Sequence, residues 1–139
     1  MMRSTLFNVA IDCADAYGLA RFWSEVVGHP LNDDDHPGES TAVIALPNGL
    51  HLYFAEVAET KTAKNRVHLC LRPDDPRDAE VERLKGVGAT VVADRRTADG
   101  AGWVVFADPE GNEFCVLRSA AERAAGEAGT CGSATVPGS

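Results

Sequence analysis

The sequence predicts an α+β fold built from two βαβββ modules, and three observations carry that expectation. The stretches "FNVAID" and "VHLCLR" share a period-2 pattern, and each precedes a helical segment that closes at a glycine, Gly28 or Gly88. Beyond each glycine come a short extended piece and two strand-like runs joined by a turn, "PNG" in the first half and "DPEG" in the second. The halves also align by residue: Asn8 with His68, Gly28 with Gly88, Pro47 with Pro109, Gly49 with Gly111 and His51 with Glu113. The one change of offset falls in a loop, where insertion costs little. A single domain over residues 1–118 follows, with module one at 5–58 and module two at 66–118.

The first strand is expected at Leu6 to Asp12, with Phe7, Val9 and Ile11 on the face that packs on helices and Asn8 and Ala10 on the other. A helix is expected from Tyr17 to Val27, capped by Asp15, with Leu19, Phe22, Trp23, Val26 and Val27 as its buried stripe. The strands Thr41 to Leu46 and Leu50 to Val57 complete module one, with His51 and Tyr53 opposite Leu50, Leu52 and Phe54. In module two, Val67, Leu69 and Leu71 form the helix-facing side of a strand whose other side carries His68 and Cys70. The second helix starts at Asp75 and Pro76, as cap and first-turn residue, and ends at Gly88. Trp103 to Ala107 and Asn112 to Arg118 are the last two strands, with Glu113 and Cys115 opposite Phe114 and Val116. Residues 119–139, rich in Ala, Gly, Ser and Thr, read as a mostly disordered tail after at most a short helical continuation.

Asn8, His51, His68 and Glu113 therefore all lie on the side away from the helices. If the two sheets curve toward one another, these four side chains converge.

The chain has 139 residues, 45% hydrophobic and 24% charged, a composition that supports a self-sufficient core. Its net charge of -8 argues against nucleic acid or an anionic membrane as a partner, and a small-molecule ligand is expected instead. No apolar run approaches the length of a membrane span. The four cysteines, Cys13, Cys70, Cys115 and Cys131, lack C-x-x-C spacing and read as reduced thiols of a cytoplasmic protein. No phosphate-binding glycine loop, G-x-S-x-G elbow or Ser-His-Asp set is present.

The segments "NRVHLCLRPDD", "VGATVV" and "GWVVFADPEGNEFCVL" resemble those of the vicinal oxygen chelate superfamily, the glyoxalase, bleomycin-resistance and extradiol-dioxygenase group. The resemblance spans Leu6 to Arg118 and is nearest to glyoxalase-like domains. It implies paired βαβββ modules in a cup-shaped, partly open β-barrel, and a homodimer. It also implies metal positions at Asn8, His51, His68 and Glu113, although many metal-using members carry His at the place of Asn8 and Glu at that of His51. An amide is a poor transition-metal ligand. The remaining donors, His51, His68 and Glu113, form a two-histidine, one-carboxylate set that suits a divalent metal such as Fe, Zn, Mn or Ni.

Two functions follow from the resemblance. One is a metal-dependent enzyme of lyase, isomerase or dioxygenase type acting on a small oxygenated metabolite, with Glu113 as a catalytic proton carrier. The other is a metal-free protein that binds a small molecule or antibiotic. In both, Asn8, Tyr53, Cys70, Trp103 and Cys115 are the expected substrate-binding residues. Each also has an ordinary explanation: a strand-end carboxylate for Glu113, hydrogen-bonded pocket histidines for His51 and His68, buried apolar thiols for the cysteines, and core for Tyr53 and Trp103. The acidic run "NDDDHPGE" reads as a solvated loop, and Arg95 and Arg96 as loop charges near an anion at most.

Overall fold

Asp15, Gly28, Gly49, Gly88 and Gly111 punctuate the chain where the repeat requires stops and turns, and the computed structural model, which describes residues 2–126, is organised around them. The elements are β1 (Asn8–Cys13), α1 (Ala16–Val27), β2 (Thr41–Ala45), β3 (His51–Glu56), β4 (Leu69–Leu71), α2 (Arg77–Val87), β5 (Thr90–Asp94), β6 (Val104–Ala107), β7 (Glu113–Val116) and α3 (Ala120–Ala125). They divide into two compact units, the first ending at Thr62 and the second beginning at Ala63. The α+β class and the two repeated modules are as the sequence predicts.

In the first unit the sheet order is β1-β3-β2, with β1 parallel and β2 antiparallel to β3. The short extended piece expected after Gly28 is reduced to one bridge, Leu31 with Ile44. Pro30 offers no N–H to a ladder, and the acidic run that follows suits turns better than a strand. Asp35 uses its carboxylate to accept from the Val43 N–H at 2.9 Å, so this loop is tied to β2. Helix α1 begins as expected: the Asp15 side chain accepts from the Gly18 N–H at 3.1 Å, and Gly28 closes it at φ 72°. The helix lies against β2 and β3 and buries Leu19, Phe22, Trp23 and Val26, while the sheet contributes Ala42, Ile44, Leu52 and Phe54.

The second unit repeats the order as β4-β7-β6-β5, with β4 parallel to β7 and the other pairs antiparallel. Its core holds Val81 and Leu84 of α2 together with Val104, Phe106, Phe114 and Val116, and the Phe106 and Phe114 rings stack at 5.6 Å. The last hairpin is built on Asp108, whose buried carboxylate accepts from the Glu110 and Asn112 N–H groups and from the Asn112 side chain. Gly111 takes φ 87° at the turn, matching Gly49 at φ 89° in the first unit.

Three expectations are corrected. Asp75 does not cap α2: Pro76 occupies that position without a side-chain cap, and Glu122 of α3 accepts the Arg77 N–H at 2.7 Å. Phe7 and its repeat mate Val67 do not pack under helices but are exposed at the entrances to their strands. The short helical continuation allowed at the start of the tail is α3, with a capping box between Ser119 and Glu122, and the residues after 126 lie outside the described residues. Cys70 is disulfide-bonded rather than reduced, while Cys13 and Cys115 are free and buried; Cys131 lies outside the described residues. Bridges depend on closeness in space, which sequence spacing did not report.

Arg77 is the hub of the second unit. Its buried guanidinium donates from Nη1 to the carbonyls of Gly100, Ala101 and Gly102 at 3.0 to 3.2 Å and from Nε to Asp78. The β5–β6 loop is thereby held against the start of α2. A side chain at Gly102, which has φ 92°, would meet the Arg95 carbonyl oxygen, so that loop path requires glycine.

Candidate functional site

Parallel pairing puts the marked positions side by side within each unit. In the first, Asn8 is the register partner of His51, and Ala10 is that of Tyr53. Side chains of directly paired residues share a face, so Asn8, His51 and Tyr53 line one side of the sheet while Leu52 and Phe54 are buried on the other. The exposed Phe7 ring packs on the His51 ring at 4.9 Å. Asn8, His51 and Tyr53 are all half-buried, as residues of an accessible surface would be.

In the second unit Leu69 pairs with Phe114 and Cys70 with Cys115, so the preceding residues His68 and Glu113 stand next to each other at the strand starts. The His68 Nε2 lies 3.8 Å from Glu113 Oε1. A third group meets the same oxygen: Lys64 Nζ donates to Glu113 Oε1 at 2.6 Å. Asn65 completes the arrangement by accepting the Glu113 N–H at 3.0 Å, which fixes the main chain at the start of β7. The Glu113 side chain is 15% exposed and that of Lys64 46%, so the carboxylate sits low and the ammonium approaches it from solvent. A single ion pair with one end so exposed contributes about 1 kcal/mol at most to stability. Its significance is chemical: it fixes a cation, a carboxylate and an imidazole within a few ångströms.

The same face continues away from this cluster through Cys115 and Leu117 on one side and Val105 and Trp103 on the other, which form a buried apolar group with Ala93 packed against it. Burial, followed by the negative charge of Glu113, pushes the Cys115 thiol up to about 11, so it is a protonated, inert group. Cys70, on that face too, is disulfide-bonded and offers no free thiol. Trp103 is buried, yet its Nε1 has no hydrogen-bond partner. Buried indole N–H groups ordinarily find an acceptor, which makes this a donor in reserve.

Among the described residues no group of three or more His, Cys, Asp or Glu side chains is placed to hold a metal ion, so the expected set of His51, His68 and Glu113 gains no support from the geometry. The carboxylate that would anchor such an ion already carries the Lys64 ammonium, a positive charge where a metal would place its own. Lys64 and Asn65 escaped sequence reasoning because they precede the second module's first strand and read as connecting residues. The available signal was their place inside "KNRVH", four and three residues before His68.

Arg96, weighed as an anion contact, is committed within the chain: it donates to Asp94 and Asp78, and its hydrogen bonds hold the Asp94 carboxyl down at about 2. No described helix is long and apolar enough to cross a membrane.

Comparison with known proteins agrees with this architecture. The family model described as "Glyoxalase-like domain" matches residues 8–117. No curated protein matches. Among solved structures, the oxidase ChaP-H2 is 22% identical with a TM-score of 0.61, the match covering 84% of this chain and 94% of that one. A glyoxalase/bleomycin resistance protein/dioxygenase family enzyme from Burkholderia phytofirmans PsJN is 20% identical with a TM-score of 0.61, covering 81% of this chain and 97% of that one. Lactoylglutathione lyase from Agrobacterium tumefaciens is 18% identical with a TM-score of 0.57, covering 83% and 93%. At these identities the solved structures speak for the fold.

Proposed function

The chain belongs to the glyoxalase-like domain family of the vicinal oxygen chelate superfamily, and from that premise we propose that it binds a small oxygenated molecule through Lys64, His68 and Glu113 without a resident metal. The observation that carries this reading is the 2.6 Å bond from Lys64 to the Glu113 oxygen that a metal would otherwise use. A ligand carboxylate, enolate or phenolate would take the exposed ammonium of Lys64 as its counter-charge. His68 would supply a hydrogen bond, and Glu113 would position both and accept a proton from a carbon or hydroxyl acid. The unpaired Trp103 N–H supports a contact to a second ligand oxygen. Asn8, His51 and Tyr53 are proposed as the first unit's ligand-facing residues.

A metal-dependent lyase, isomerase or dioxygenase is the second reading, favoured by the adjacency of His68 and Glu113. It requires Lys64 to leave the carboxylate. The test is binding of a panel of aromatic and aliphatic hydroxy acids, followed by calorimetry with and without a chelator. Binding that survives the chelator and weakens about tenfold or more in Lys64→Ala supports the first reading; binding abolished by the chelator sinks it. A homodimer remains part of the proposal, while the cytoplasmic location expected from reduced thiols loses that support with Cys70 disulfide-bonded.

A further inference from the structure

Arg118 follows β7, and strand alternation sends it to the face shared by Phe114 and Val116, which packs on helices, rather than toward Glu113. Its residue is only 6% exposed. Its backbone is anchored, since Arg72 Nη1 donates to the Arg118 carbonyl at 2.8 Å. Its side chain is not: Nε and Nη2 are both buried without a hydrogen-bond partner. These two nitrogens lie on one edge of the planar guanidinium and point their N–H bonds in parallel, the fork that a carboxylate or phosphate accepts with two oxygens.

The neighbouring acids hold other partners, and Asp99 feels the Arg118 charge without bonding it. Glu122 Oε1 accepts from the Ser119 and Arg77 N–H groups, and Asp99 Oδ1 accepts from the Thr97 hydroxyl and the Ala101 N–H. Among the described residues no carboxylate lies within ion-pair distance of Arg118. Gly126 lies beside the group, where a side-chain carbon would come within 3.4 Å of Arg118 Nη1. A permanently charged group buried with two idle donors is costly, and an anion on that edge would remove the cost.

We propose that the Nε–Nη2 edge of Arg118 is a binding site for a small oxyanion, held by a two-oxygen fork and separate from the Lys64–Glu113–His68 cluster. The full chain is titrated with sodium acetate and with sodium phosphate, against sodium chloride at matched ionic strength. The thermal midpoint and the Arg118 Nε–H resonance are followed together. We expect a saturable rise in midpoint and a saturable shift of that resonance with at least one of the two oxyanions, and neither with chloride. A response to acetate alone assigns the site to carboxylates, and one to phosphate alone assigns it to phosphate-type ligands. Arg118→Lys, which keeps the charge and loses the fork, is expected to weaken binding about tenfold. Absence of any saturable oxyanion response in the wild-type chain overturns the proposal, as does a response of unchanged affinity in Arg118→Lys. If the variant fails to fold, the wild-type resonance decides alone.

Discussion

At the strand starts of the first unit an amide and an imidazole, Asn8 and His51, face each other beside an exposed phenylalanine; at the same places in the second unit His68 stands beside Glu113, and a lysine bonds the carboxylate. The backbone plan is common to both, down to the glycines that close each helix and turn each last hairpin. Duplication therefore preserved the scaffold while the paired positions diverged, and the charged chemistry now belongs to the second unit. Stability is distributed unevenly as well. The first unit rests on an apolar helix stripe, whereas the second adds a buried arginine that ties a loop to a helix start.

The largest effects should come from breaking those two different supports. Trp23→Ala removes the largest fully buried side chain of the first unit and should cost about 3–5 kcal/mol, measured by denaturant unfolding. Arg77→Ala leaves three carbonyls of the β5–β6 loop without their donor and should cost roughly 3 kcal/mol, with hydrogen exchange rising in residues 95–102. Equal protection of that loop in both variants would show that Arg77 is no special support.

A smaller effect separates the two helix starts. Asp15→Ala and Glu122→Ala each remove one acceptor from a first-turn N–H, and each should cost about 1 kcal/mol. Glu122→Ala should also loosen α3, since the same carboxylate closes its capping box. Loss confined to α2 would contradict that link.

The smallest effect on stability concerns Cys115. Its pKa is raised from 9.0 to about 11 in the folded chain, so the folded state holds the thiol proton more tightly. That contribution is complete below pH 9 and is lost as the pH climbs through about 11, and the thiol should resist alkylation at pH 8. Rapid labelling of Cys115 by iodoacetamide in native protein at that pH would show the group is neither buried nor raised.

Much of this was legible in the sequence because the repeat carried it. Period-2 runs, two glycine-stopped helices and two turns fixed the element order, and alternation put Glu113 opposite Phe114. The faces failed at the strand entrances, at Phe7 and Val67, since a pattern cannot tell where an element begins. Lys64, Asn65 and Arg77 were invisible for a different reason: each acts on partners far along the chain, Lys64 and Asn65 on Glu113 and Arg77 on residues 100–102 and Glu122. Local periodicity carries no such information.

The contrast between the units turns on whether Lys64 or a metal ion satisfies Glu113. Metal content of tag-free protein, measured by mass spectrometry in the wild type, His68→Ala and Glu113→Ala, tests that directly. We expect far less than one equivalent of any transition metal in all three; about one equivalent in the wild type that disappears in both variants would contradict it.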